Sequence, residues 1–329
     1  MRRTAISLIS LALVTAPLAT TSTATAADAS AGAARPTVIA GGLLTPLSFD
    51  VTPNGTVWAA QNFAGLLTRI RPGGEPRVVY ANQKGAEVGA VSVHRRVVSF
   101  ALTARDGKTY LMERSRRGDV SRVANLSRFE TNQNPDAEQE YAFADADEEC
   151  VAKLRRRFKP YTGTVESHPY ASTRMGETRY VADAAGNAIL GVGDDGRIRT
   201  VAVLPPQPLT ITAEAAEANG LPDCVVGEDF NFEPVPTDVE TGPDGMLYVT
   251  TLPGGPEDPS LGARAAVHRI DPETGDIETV AGGLLTATGL DVAPNGDIYV
   301  AELFAGRISR IPGARRSPRS GSPRRCPAT

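Results

Sequence analysis

Between residues 39 and 311 apolar and polar side chains alternate in runs of five or six, interrupted by short clusters of Gly, Pro, Asn and Asp. A period of two punctuated this way marks half-buried β-strands joined by tight turns. Residues 39–70 align without a gap onto residues 280–311, and 17 of the 32 positions are identical. Each copy sets two β-rich runs around Pro-Asn-Gly, in which proline presets φ and glycine supplies the positive φ of a hairpin. A third copy at 236–252 carries Pro-Asp-Gly at the same place, and weaker copies run over 168–196 and 88–126.

Each unit reads as four short strands, in the first case LSFDV, TVWAAQ, LLTRIR and PRVVYA. Such a sheet has two faces that it cannot bury alone, so several must pack side by side. Radial packing of four-stranded sheets predicts an all-β fold, a β-propeller with five countable blades. The last unit stops after its third strand at Ile311, while Thr37-Val38-Ile39-Ala40 matches Glu278-Thr279-Val280-Ala281 in kind. The N-terminal segment is therefore expected to supply the missing outer strand and close the ring. Two stretches break the pattern, at about 126–160 and 205–232, and read as insertions with helical pieces. The second contains TAEAAEANG, which ends like a glycine-capped helix.

Composition adds an address. Arg2 and Arg3 precede the apolar stretch from Ile6 to Val14, and small residues follow up to Ala24-Thr25-Ala26. This order is that of a secretory signal peptide, residues 1–26, cleaved after Ala26. A linker (27–35), the propeller domain (36–313) and a basic disordered tail (314–329) complete the expected organisation, with the mature protein outside the cytoplasm. No later apolar run approaches the ~18 to 20 residues that span a bilayer, so no integral membrane segment is expected. Formal charge is −4 for the whole chain and −11 for residues 27–313, which argues against nucleic acid as a partner. The expected partner is an extracellular small molecule or protein, and the expected state a monomer.

Outside the cytoplasm the three cysteines become informative. Cys150 and Cys224 fall in the two insertions and Cys326 in the basic tail. Of the three possible single pairings only Cys150–Cys224 joins two insertions of the folded body, and it is the pairing expected. No C-x-x-C spacing supports a cysteine-based metal site.

Candidate chemistry is sparse. His94, His168 and His268 fall at the end of an inner strand, the start of another and a third strand. A strand separates its ends by roughly 17 to 20 Å, so these histidines cannot share a zinc ion. No local signature of a Ser-His-Asp triad is present. Asp50, Glu240 and Asp291 occupy one position of the innermost strand in three blades. They could hold a hard cation such as Ca²⁺ through oxygen ligands, or accept hydrogen bonds from neighbouring blades; no other cofactor is indicated. Asp183 and Glu302, which end second strands, carry the same two readings. Loops and strand starts place Phe63, His168, Tyr170, Asn187 and Phe304 on one rim as a candidate ligand-binding surface.

The phrases HPY, YVADAAGNAILGV, RTVAVLP, VPTDVETGPDGMLYVT and TATGLDVAPNGDIYVAE, with NQNPD before them, resemble the ScyD/ScyE family. These are exported propellers in the style of NHL and SMP-30-like proteins. The resemblance covers roughly residues 36–312 and implies six blades and an accessory role in pigment (scytonemin) assembly outside the cytoplasm. It carries over no catalytic residue. Asp50, Glu240 and Asp291 stand where such propellers usually have a small residue. The leading expectation is a secreted binding or scaffolding module rather than an enzyme. The competing one is a Ca²⁺-dependent hydrolase or lactonase of SMP-30 type using the channel carboxylates.

Overall fold

Five antiparallel sheets carry the strands anticipated from the repeat. The structure, a computed structural model, describes residues 37–256 and 258–313. Blade 1 comprises Pro46–Val51, Val57–Gln61, Leu66–Ile70 and Arg77–Ala81, and blade 2 Glu87–His94, Val97–Thr103, Thr109–Arg114 and Val120–Asn125. Blade 3 comprises Pro169–Met175, Thr178–Asp183, Ala188–Val192 and Ile198–Val203, and blade 4 Pro236–Thr241, Leu247–Thr251, Ala265–Ile270 and Ile277–Leu284. Blade 5 has three strands, Ala287–Val292, Ile298–Glu302 and Arg307–Ile311. The innermost strands lie side by side in chain order from blade 1 to blade 5, the arrangement of a propeller.

The turns form as their sequences require. Gly55 and Gly296 of the two Pro-Asn-Gly turns take φ of +77° and +87°, a region that only glycine enters freely. A β-bulge near the start of the inner strand recurs in blades 1, 3, 4 and 5. Bulges re-aim the side chains that follow them. Here Ser48 and Asp238, just past the bulge, reach N–H groups of the next blade.

Each pair of consecutive blades shares a buried core. Trp58, Leu67, Val91 and Phe100 join blades 1 and 2. Leu111, Val181 and Leu190 join blades 2 and 3. Tyr180, Ile189, Val239 and Leu247 join blades 3 and 4, and Val267, Leu290 and Val300 join blades 4 and 5. No buried cluster of the described residues joins blade 5 to blade 1, and the two faces there are bare. Phe49 is 66% exposed although its blade 4 equivalent, Val239, is 0% exposed. Ile308 is 73% exposed although its equivalent, Val267, is 0% exposed.

The expected closure by the N-terminal segment is therefore corrected. Thr37 to Ala40 lie outside any strand, and Ile39 is exposed. The physical reason lies in the segment itself. A four-residue strand followed by Gly41-Gly42 offers a few ladder bonds worth about 1 kcal/mol each, against a backbone ordering cost of about 1 to 2 kcal/mol per residue. The sixth blade implied by the family resemblance is also not formed among the described residues. The remaining strands make two ribbons, Glu140–Tyr141 with Tyr161–Thr162 and Gln207–Thr210 with Asp229–Phe232.

Those ribbons belong to the insertions, which carry three helices, α1 (Leu126–Gln133), α2 (Glu148–Lys153) and α3 (Ala213–Asn219); α2 and α3 share one core, whereas α1 packs on blades 2 and 3. Helix α3 starts at Thr212, whose side chain accepts the Ala215 N–H, and ends at Gly220 in the left-handed region. Phe143, Phe158, Ile211, Val225 and Phe232 bury each other in a separate small core. The Cys150–Cys224 disulfide is formed and ties the two insertions together. The expected signal peptide (1–26), linker (27–35) and tail (314–329, with Cys326) lie outside the described residues.

Candidate functional site

Two sets of polar side chains gather along the inner strands. The first lies towards their C-terminal ends. Asp50 Oδ2 accepts the Val93 N–H of blade 2 at 2.6 Å. Asp238 accepts the Leu290 N–H of blade 5 at 2.7 Å and its neighbouring Val239 N–H at 2.9 Å. Glu240 accepts the Thr173 hydroxyl of blade 3 at 3.3 Å. Burial raises the pKa of Asp50, and repulsion from Asp291 adds to it while the N–H groups of Val93 and Val51 oppose it. Burial likewise raises Asp238 and Glu240, which repel each other.

The structure thus brings Asp50, Glu240 and Asp291 into one electrostatic neighbourhood and adds Asp238, which the sequence reading missed. Its signal was visible two residues before Glu240, at the position of Ser48 and Gly289 in the other copies. The acids share a field but not a coordination sphere, because no three His, Cys, Asp or Glu side chains of the described residues converge to hold a metal ion. Asp50, Asp238 and Glu240 each spend a carboxylate oxygen on a neighbouring blade. In this arrangement they do not fit a Ca²⁺ ion.

The second set lies at the N-terminal ends of the inner strands, beside the insertion module. His168 Nε2 pairs with Glu87 Oε2 at 3.0 Å, and the His168 and Tyr170 rings meet edge to face with centroids 5.2 Å apart. Asp183 fixes the backbone there, accepting the His168 N–H and the Ser167 hydroxyl, each at 2.6 Å. Burial alone would lower the His168 pKa, but the Glu87 carboxylate outweighs it and the net shift is upward.

Of the rim residues read from the sequence, His168 and Tyr170 come together, half-buried, and gain Glu87 as a third member. Asn187 is buried instead, bonding Asp136 Oδ2 through its amide and accepting the Val235 N–H. Phe63 and Phe304 are exposed, in the equivalent loops of blades 1 and 5. Their N–H groups bond Thr45 and Thr286, equivalent threonines that both have positive φ. No ring contact joins either phenylalanine to His168 or Tyr170 among the described residues. Glu302 lies under Arg307 and Ser309, whose hydrogen bonds hold its pKa down at about 2. His94 ends its inner strand and His268 sits in a third strand between Thr251 and Thr279. A cavity of about 340 Å³ lies beside His268, walled by Pro205, Pro206, Pro208 and Leu209.

Fold and inner-strand chemistry together define a β-propeller whose first and last blades do not seal against each other. No protein-family model matches the chain, and no curated protein matches it in sequence. Solved structures do resemble it. A nidogen/laminin complex has a TM-score of 0.50 at 8% identity, over 82% of this chain and 76% of the other. The PQQ-bound aldose sugar dehydrogenase from Streptomyces coelicolor has a TM-score of 0.48 at 13% identity, over 84% and 79%. Virginiamycin B lyase from Staphylococcus aureus has a TM-score of 0.45 at 18% identity, over 82% and 72%. The likeness at these identities concerns the fold alone.

Proposed function

We propose that the protein is an exported propeller of the ScyD/ScyE type that works as a binding or scaffolding module. It engages an extracellular small molecule or protein at the mouth flanked by Glu87, His168 and Tyr170. The observation that carries this reading is the half-buried His168–Glu87 pair with Tyr170 meeting the His168 ring edge to face, beside a disulfide-stapled insertion. A rigid polar-aromatic cluster where loops meet a scaffold is suited to recognition. Export is supported by the disulfide and by the signal-like N-terminus.

The hydrolase reading is less well supported, since Asp50 and Glu240 are engaged between blades rather than free to ligate or to act as a base. The test is retention from culture supernatant by immobilised mature protein, compared with a His168→Ala/Tyr170→Ala variant of equal thermal stability. The expected result is a component held by the parent and lost from the variant. Equal retention by both would remove the mouth as the binding site.

A further inference from the structure

The last turn of helix α1 and the loop that follows it contain three side-chain oxygens buried without a partner, Glu130 Oε1, Asn134 Oδ1 and Asp136 Oδ1. With the carboxyl groups ionised, all three can only accept. Glu130 and Asp136 are each 1% exposed. Among the described residues no ion pair reaches Glu130, Asp136 or the adjacent Asp183, although eleven such pairs form elsewhere among them. Buried acceptor oxygens with neither donor nor cation are costly, so a missing positive charge is the natural complement.

We infer that the Glu130–Asp136 segment, the end of α1 and the turn after it, is a site for a hard divalent cation, Ca²⁺ by the chemistry of its donors. Two carboxylates and a carboxamide present unoccupied oxygens from within seven residues, and Ca²⁺ takes oxygen ligands in flexible geometry, completed by carbonyls or water. The donor set explains why no three acidic side chains need converge, since its third member is Asn134. The loop emerges from the C-terminal end of α1, where unpaired carbonyls put negative partial charge. Asn134 caps that end at φ +37°.

The surroundings hold this loop in place. Asp136 Oδ2 is fixed by the Tyr141 hydroxyl and the Asn187 amide, each at 3.0 Å, which leaves Oδ1 unpaired. Asn134 Nδ2 donates to Gly163 O at 3.1 Å, which orients the amide and leaves its oxygen unpaired. A Cβ on Gly163 would stand 2.1 Å from Asp136 Oδ1, and one on Gly186 would stand 3.3 Å from Glu130 Oε2. Glycine at both positions lets backbone close tightly over the carboxylates. This inference is independent of the mouth at His168, and neither needs the other.

The experiment is calorimetric titration of CaCl₂ into chelator-treated mature protein, with thermal melts in parallel. One site with Kd of about 10⁻⁴ to 10⁻³ M, as in extracellular modules, is expected, and the melting midpoint should rise with Ca²⁺. Glu130→Gln and Asp136→Asn should each abolish both effects, while Asp50→Asn/Glu240→Gln should leave the Ca²⁺ response intact. Glu130→Gln keeps shape and removes charge, so it should melt no lower than the parent without Ca²⁺. Absence of heat and of any melting shift up to about 10 mM Ca²⁺, ten times the weak end of that range, would overturn the inference. So would a response lost only in the Asp50/Glu240 variant.

Discussion

Phe49 and Leu290 are the same position of a duplicated inner strand, 241 residues apart, yet Leu290 is buried against blade 4 and Phe49 is exposed, in no buried cluster of the described residues. Local sequence cannot produce that difference, since both strands carry the same pattern and the same bulge. It arises because blade 5 has a predecessor in the wheel and blade 1 does not. Asp291 shows the same effect. Its equivalent Glu240 accepts from blade 3, whereas Asp291 is exposed at the seam.

The seam predicts unequal truncations. Leu290→Ala should destabilise the protein by about 2 to 5 kcal/mol, as core truncations do, whereas Phe49→Ala should change stability by less than about 0.5 kcal/mol. Urea denaturation of both variants checks this. A large loss from Phe49→Ala would mean that blades 1 and 5 seal in solution. The bare faces should also promote self-association, reduced in a Phe49→Ser/Ile308→Ser variant followed by light scattering.

The inner-strand acids predict a contrast between amide and alanine. Asp238→Ala strands the Leu290 N–H and should cost about 1 to 3 kcal/mol. Asp238→Asn keeps one acceptor oxygen for the Leu290 N–H and removes a buried charge while giving up the bond from Val239, so it should cost less than Asp238→Ala. If both variants were equally destabilised, Asp238 would not act as a hydrogen-bonded clamp between blades.

The disulfide predicts a local effect. Non-reducing peptide mapping should recover Cys150 linked to Cys224, and Cys150→Ser/Cys224→Ser should lower stability by up to about 4 kcal/mol on the chain-entropy model. Limited proteolysis should then cut first within 126–165 and 205–235, because the module's small core loses its tether while the blades keep theirs. First cleavage inside blades 1 to 4 would contradict this.

Buried acids predict that stability falls as pH rises. Burial first, then the charges of Asp183 and Asp136, push Glu130 up to about 8 from its ordinary 4.5. A folded-state pKa above the unfolded value favours the native state while the group is protonated, and that contribution is lost as pH rises through about 8. Asp136, Asp238, Glu240 and the Glu87-paired His168 are all raised and act with the same sign. Below about 6.5 burial of His268, which lowers its pKa to about 4, opposes them. Melts between about pH 6.5 and 9, spanning the range between these values, should show a falling midpoint. Glu130→Gln, or saturating Ca²⁺, should flatten that slope; an unchanged slope in Glu130→Gln would show that Glu130 does not titrate there.

Strand positions, turns, the count of five blades, the two insertions and the Cys150–Cys224 pairing were legible in the sequence. Each depends on short-range periodicity, on turn chemistry or on an internal repeat that marks equivalent positions. The channel acids were legible as a ladder for the same reason, but Asp238 was not, because a bulge decides which residue of the inner strand faces the next blade. Whether Thr37 to Ala40 pairs was decided by tertiary structure, since a four-residue strand gains too few bonds to order itself on pattern alone. The acceptors of Glu130, Asn134 and Asp136 could be seen as NQNPD and its preceding glutamate. That their oxygens are buried and unpaired depends on how the insertion packs against the blades, which no local pattern encodes.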